Sequence, residues 1–133
     1  MTSKRQDTKC KYLIDTSALY PILISGIPIN PEECAIISLT DYEIGNVLWR
    51  ENRRKKLKNP TRIATIFSEA IHPLKRIDID SIANILSIAI QKNLTFYDAS
   101  YAYVAEKEKI KLVTQDTDLL KKCKEAIPIS EMQ

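Results

Sequence analysis

Cysteine, glycine and histidine are all scarce in this chain. Its three cysteines, Cys10, Cys34 and Cys123, are an odd number without C-x-x-C spacing, which argues against a disulfide framework or a zinc site and reads as reduced thiols in a cytosol. Only two glycines occur, Gly26 and Gly45, alongside heavy use of isoleucine and lysine. That bias fits a thermophile and an AT-rich genome equally, so nothing is concluded from it. No apolar run approaches the roughly 20 residues of a membrane helix. Residues 1–11 are polar and basic and lack the apolar core and cleavage site of a secretory signal. No repeat or low-complexity segment is visible. With 133 residues, 44% of them hydrophobic, the chain fits one soluble, cytoplasmic domain. We place that domain at residues 11–133, behind a polar lead of residues 1–10.

The net charge is only +3, but it is unevenly spread. Residues 50–62 (RENRRKKLKNPTR) hold seven Lys or Arg against the single acid Glu51, which leaves the rest of the chain net negative. A clustered positive face suits phosphates, and an acidic remainder suits a cation. Arg50, Arg53, Arg54, Lys55 and Lys56 are therefore candidate contacts for a phosphate backbone. A solvated helix end that complements the macrodipole explains the same residues equally well.

Periodicity gives alternating strands and helices. Residues 11–15 (KYLID) read as a strand that ends on a carboxylate, and Thr16 and Ser17 then open a helix. After loop punctuation at residues 25–31 (SGIPINP), residues 35–38 (AIIS) form a doubly buried strand. A helix is expected to start after Thr40, carry Ile44, Val47 and Leu48, and fade through the basic stretch until Asn59-Pro60. Residues 61–71 form a second helix, with Ile63, Ile66, Phe67 and Ala70 on its apolar face, closed by His72-Pro73. Residues 74–79 alternate as a strand. Ile82, Ile85, Leu86, Ala89 and Ile90 mark a helix that opens at Ser81, with Asn93 as its left-handed terminator. Thr95 caps a helix over residues 96–108. Residues 111–114 (KLVT) are a strand, a last helix begins at Leu119 and Leu120, and residues 127–129 form a final strand. This order implies right-handed crossovers and a mostly parallel sheet, with ligands beyond the carboxyl ends of its strands.

Four acids fall at that edge: Asp15, Glu43, Asp98 and Asp116. Three have a structural reading as well. Thr40-x-x-Glu43 fits a capping box, Thr95-x-x-Asp98 nearly does, and Asp116 or Asp118 could cap the last helix. Asp15 is harder to dismiss, because desolvating an acid after a buried strand costs several kcal/mol unless it is exposed, hydrogen-bonded or paired with a cation. Four converging acids repel one another, and a divalent cation is the usual remedy. Carboxylate ligation without ligand histidines suits Mg2+ or Mn2+. The chemistry that follows is phosphodiester hydrolysis.

Asp15 in LIDTSAL, Glu43 in SLTDYEIGNVLWR, Asp98 in NLTFYDASYAYVAEKE and Asp116 in KLVTQDTDLL resemble the successive motifs of PIN-domain ribonucleases, especially VapC-type toxins. The resemblance spans residues 12–129. It is most specific over residues 94–120, where Tyr97-Asp98-Ala99, Tyr101, Ala105, Leu112, Thr114-x-Asp116 and Leu119 follow family order. It implies a three-layer α/β/α sandwich and a Mg2+- or Mn2+-dependent endoribonuclease. Asp15, Asp98 and Asp116 would be its metal ligands, directly or through water. Glu43 would complete the site and help orient the attacking water, with Thr16 and Thr114 supporting by hydrogen bonds. Asp118 is a further candidate that helix capping explains equally well. VapC-type toxins are generally dimers inhibited by a small VapB antitoxin whose tail covers the acidic groove. Two departures are the polar lead before the first strand and Asn93 where the family often has glycine.

The remaining residues carry smaller expectations. His72 reads as structural or at the surface. Trp49 and Tyr42 are expected in the core or a dimer interface, with stacking on bases as the alternative for an RNA enzyme. Tyr101 and Tyr103 are two apart on a helix, so at most one lines the groove. Rival functions are a housekeeping nuclease of RNA maturation, a non-catalytic RNA-binding module, and a phosphoacceptor signalling domain. The last would need paired acids after the first strand and a lysine after a late one, and this chain has neither.

Overall fold

Short apolar runs, buried on both sides, form the middle of the molecule. The computed structural model describes residues 10–132. In chain order the elements are β1 (Tyr12–Ile14), α1 (Thr16–Ser25), β2 (Cys34–Ile37), α2 (Ser38–Arg53), α3 (Pro60–Ile71), β3 (Lys75–Ile77), α4 (Ile82–Lys92), α5 (Phe96–Glu108), β4 (Lys111–Val113), α6 (Thr117–Lys122) and β5 (Ala126–Ile127). All five strands pair in parallel, in the order β3-β2-β1-β4-β5. Apart from Cys10, the polar lead expected from the sequence lies outside the described residues.

The period-two alternation of the strands builds the layers. Ile14, Ile36 and Val113 point to one face, where Leu19 and Ile22 of α1, Ile44 and Leu48 of α2, and Phe67 of α3 cover them. Leu13, Ala35, Ile37 and Leu112 point to the other, beneath Tyr101 and Val104 of α5 and Leu119 of α6. The result is a three-layer α/β/α sandwich. In register, Leu13 faces Ala35 on one side and Leu112 on the other. The chain therefore leaves β1 toward β2 on one flank and returns through β4 on the other. That makes the carboxyl end of β1 the switch point where such sheets hold ligands.

Several boundaries differ from expectation. α2 starts at Ser38, directly after β2, so Thr40 sits inside the helix and the Thr40-Glu43 capping box does not form. The Thr40 hydroxyl instead accepts the Ile37 N–H at 3.4 Å. The far end of α2 comes sooner too, at Arg53, because Lys55 takes a left-handed φ of 58°. Asn59 then caps α3, with Pro60 in its first turn. β3 is shorter than residues 74–79, and β5 precedes residues 127–129 by one position. Ile66 is 51% exposed and Ala70 is exposed, so the apolar face of α3 is narrower than its pattern. In α4 only Ile85 and Ala89 are buried, while Ile82, Leu86 and Ile90 face solvent. Asn93 ends α4 at φ 54°, as its side chain tolerates. Trp49 and Tyr42 are exposed, not in the core, and Arg53 stacks over the Trp49 ring at 5.1 Å. His72 is exposed at the end of α3. No helix among the described residues is long and apolar enough to cross a membrane.

Candidate active site

Asp15 closes β1 and caps α1. Its backbone is extended there, and its Oδ1 accepts the Ala18 N–H at 3.1 Å. Two hydroxyls complete its surroundings: Ser17 donates to Oδ1 at 2.7 Å and Thr114, just past β4, donates to Oδ2 at 2.5 Å. Each hydroxyl also accepts a backbone N–H, Ser17 from Gln115 at 2.9 Å and Thr114 from Asp116 at 3.0 Å. While accepting that N–H, each hydroxyl turns its single hydrogen toward the acceptor-only carboxylate of Asp15. Those three donors favour the charged carboxylate, but burial opposes it more strongly. Asp15 is only 4% exposed, and burial pushes its carboxyl up from the ordinary 3.8 to about 6.

Glu43, one turn into α2, is held by a second set of hydroxyls. Thr16 and Tyr101 both donate to its Oε1 at 2.7 Å. Since Tyr101 spends its one hydrogen there, its 2.8 Å contact with Thr40 must be a bond that Thr40 donates. A directed chain results, from the Ile37 N–H through Thr40 and Tyr101 to Glu43. Tyr101 is 2% exposed, and burial raises its phenol far above the ordinary value, which keeps it a donor.

Asp98 and Asp116 stand on the other side of the edge. Asp98 lies in the first turn of α5, where Thr95 caps the helix by accepting the Asp98 N–H at 3.1 Å. Its carboxyl is raised by partial burial first, then by the charges of Asp116, Glu43 and Asp118. Asp116 caps α6 through the Leu119 N–H at 3.0 Å. Asp118 is exposed in the first turn of that helix. The four acids from four separate segments thus share one electrostatic field at the carboxyl ends of β1 and β4. The donor set is all oxygen, which fits a hard divalent cation. Among the described residues, however, no three acidic, histidine or cysteine side chains stand close enough to hold one ion together. In this arrangement Asp15 and Glu43 are turned to hydroxyl partners and Asp116 to a backbone N–H.

A family model described as PIN domain matches residues 12–125. The chain belongs to the PIN-domain family. This PIN domain is 38% identical to the exonuclease VapC9 of Pyrobaculum aerophilum over 92% of both chains. It is 28% identical to the ribonuclease VapC3 of the same organism, over 84% of this chain and 94% of the relative. The crystal structure of PAE2754 from Pyrobaculum aerophilum superposes with a TM-score of 0.81 at 38% identity, covering 92% of this chain and 85% of that one.

The basic candidates of the PIN domain scatter. Arg50 borders the cleft beside Glu43, Arg53 stacks on Trp49, and Arg54 pairs with Glu51 at 3.1 Å. Lys55 and Lys56 lie in the turn after α2. Three residues around the acids did not stand out as site residues in the sequence: Ser17, Thr40 and Tyr101. A signal existed for Tyr101, which is three residues beyond Asp98 and so on the same helical face. Tyr103 turns the other way and donates to Asp80 at 2.7 Å.

Proposed function

We propose that this PIN domain is a Mg2+- or Mn2+-dependent endoribonuclease, the cytoplasmic toxin of a VapBC-type pair. Nuclease activity is the coarse reading carried by the names of its relatives. The finer reading is supported by one observation: four acids from separate segments share one electrostatic field near the switch point of the sheet, with a buried Asp15 whose charge lacks any cationic partner among the described residues. Asp15, Asp98 and Asp116 are the candidate ligands. A bound ion there supplies positive charge for phosphate oxygens and lowers the pKa of a water. Glu43, with Oε1 held by two hydroxyls, keeps Oε2 available to orient that water. Thr16 and Thr114 fix the two carboxylates they touch.

The antitoxin proposed as partner is small and VapB-like, following the toxin resemblance and the VapC relatives. A homodimer is supported by the exposed α4 stripe of Ile82, Leu86 and Ile90. Its four-residue spacing is symmetric about Leu86, so antiparallel α4 helices would match Ile82 to Ile90. Cys10, Cys34 and Cys123 form no disulfide among the described residues, which fits a reducing cytoplasm. The name of the VapC9 relative favours a second reading, attack from RNA ends.

One experiment separates these readings. Linear and circular RNAs are incubated with the purified protein in Mg2+, Mn2+ or EDTA, beside Asp15→Asn and Asp98→Asn. Cutting of the circle that needs metal and both aspartates is expected. Degradation of linear RNA alone would establish the exonuclease, and cutting indifferent to EDTA and both substitutions would end the metal-site reading. Copurification with a small protein tests the antitoxin, and light scattering of Leu86→Lys tests the dimer.

A further inference from the structure

A cleft of about 520 Å3 opens between α1 and α2, and Thr16 and Glu43 of the acid site form part of its wall. Tyr42, Asn46 and Arg50 also line it. They are four residues apart, so they stack along one face of α2 over about 12 Å. Tyr42 is 79% exposed, an unusual setting for a large ring beside a polar site. Among the described residues, none of these three side chains makes a hydrogen bond or ion pair. The neighbouring charges differ: Arg53 is spent on Trp49, and Glu51, the other acid of the cleft, is paired with Arg54. Arg50 is therefore the cation of the basic stretch that is unpaired among the described residues and lines the same cleft as Glu43.

We propose that this cleft holds the nucleotides of single-stranded RNA next to the bond that is cut. A base stacks on Tyr42, the Asn46 amide meets a base edge with its donor and acceptor, and Arg50 holds a phosphate of the same strand. An exposed ring, an unpaired amide and an unpaired guanidinium in one row are the groups that recognise base and phosphate together. The continuity of the row with Glu43 sets the path of the strand, from the reacting phosphate outward along α2. The proposal rests on the ribonuclease reading, and its test is built to fail separately.

Binding is measured in the Asp98→Asn background, by fluorescence anisotropy of a labelled single-stranded oligoribonucleotide at several salt concentrations. Tyr42→Ala and Arg50→Ala should each weaken binding roughly tenfold. Arg50→Ala should also lower the salt slope by about 0.7, the share of one phosphate contact on a single strand. Asn46→Ala should flatten any preference between homopolymers. Arg62→Ala, on α3 outside the cleft, should bind as the parent does. With Asp98 restored, Tyr42→Ala and Arg50→Ala should raise KM while leaving kcat nearly unchanged, and thermal melts show whether each variant folds. Unchanged affinity and KM in folded Tyr42→Ala and Arg50→Ala proteins would overturn the proposal. So would loss of a copurifying small protein from these variants while RNA binding stays intact, because the cleft would then belong to that protein. If no variant or parent cuts RNA but the binding losses appear, the catalytic reading fails and the cleft assignment stands.

Discussion

The two sides of the acid edge are built differently. On one side, Asp15 and Glu43 are each gripped by two donating hydroxyls, so the carboxylates have little freedom. On the other, Asp98 and Asp116 start helices and are anchored chiefly through backbone N–H groups or Thr95. The side held by hydroxyls is preorganised, while the side of Asp98 and Asp116 has room to adjust. The ion proposed for this site would benefit from both, since fixed oxygens define its position and movable ones complete the shell.

The largest test of that contrast is substitution of one acid from each side. Asp15→Asn and Asp98→Asn should both reduce RNA cleavage by more than about 100-fold, above the range for residues that only support a ligand. The two should part company in stability. Asp15 is raised to about 6, so between pH 4 and 6 the folded chain holds a proton that the unfolded chain has released. Metal-free protein should therefore lose stability as pH rises through that window, by about 3 kcal/mol, and lose no more from this group above it. Asp15→Asn should remove the loss, gaining up to about 3 kcal/mol at pH 7.5 and nothing at pH 4, by urea unfolding in EDTA. Equal pH profiles for Asp15→Asn and the parent would break the comparison.

Next come the hydroxyls. Tyr101→Phe removes a donor from Glu43 and leaves Thr40 donating to nothing, so activity should fall roughly 10–100-fold. Stability should fall by about 1–3 kcal/mol. Thr114→Val should lower activity over a similar range, and it should widen the pH window by removing a contact that lowers the Asp15 pKa. Smallest is Asp118→Ala, an exposed acid on the adjustable side, whose stability should stay within about 0.5 kcal/mol of the parent. A large loss of cleavage with stability kept would mean that Asp118 takes part directly.

Much of this layout was legible in the chain, for local reasons. Asn93 and Thr95 occupy caps whose chemistry is readable residue by residue, and KYLID and KLVT are short runs that suit a doubly buried strand. The start of α2 was hidden because β2 passes into it without a loop, so no turn residue marks the change. The face of α4 was hidden because isoleucine and leucine occur nearly all round it. Periodicity finds such a helix but does not say which side meets the core. The hydroxyl network was hidden for a third reason. Thr114 and Asp15 are 99 residues apart and Tyr101 and Glu43 are 58 apart, and no local pattern links them.

That 99-residue separation bears on when the enzyme can act. β1 can pair with β2 after little more than 30 residues, yet its other neighbour, β4, and the Thr114 hydroxyl come near the end of the chain. A chain still leaving the ribosome carries Asp15 and Glu43 without the groups that hold and complete them. Closing so long a loop is also a late and slow event in folding. Until β4 has joined β1, the acid edge lacks both the Thr114 hydroxyl and Asp116.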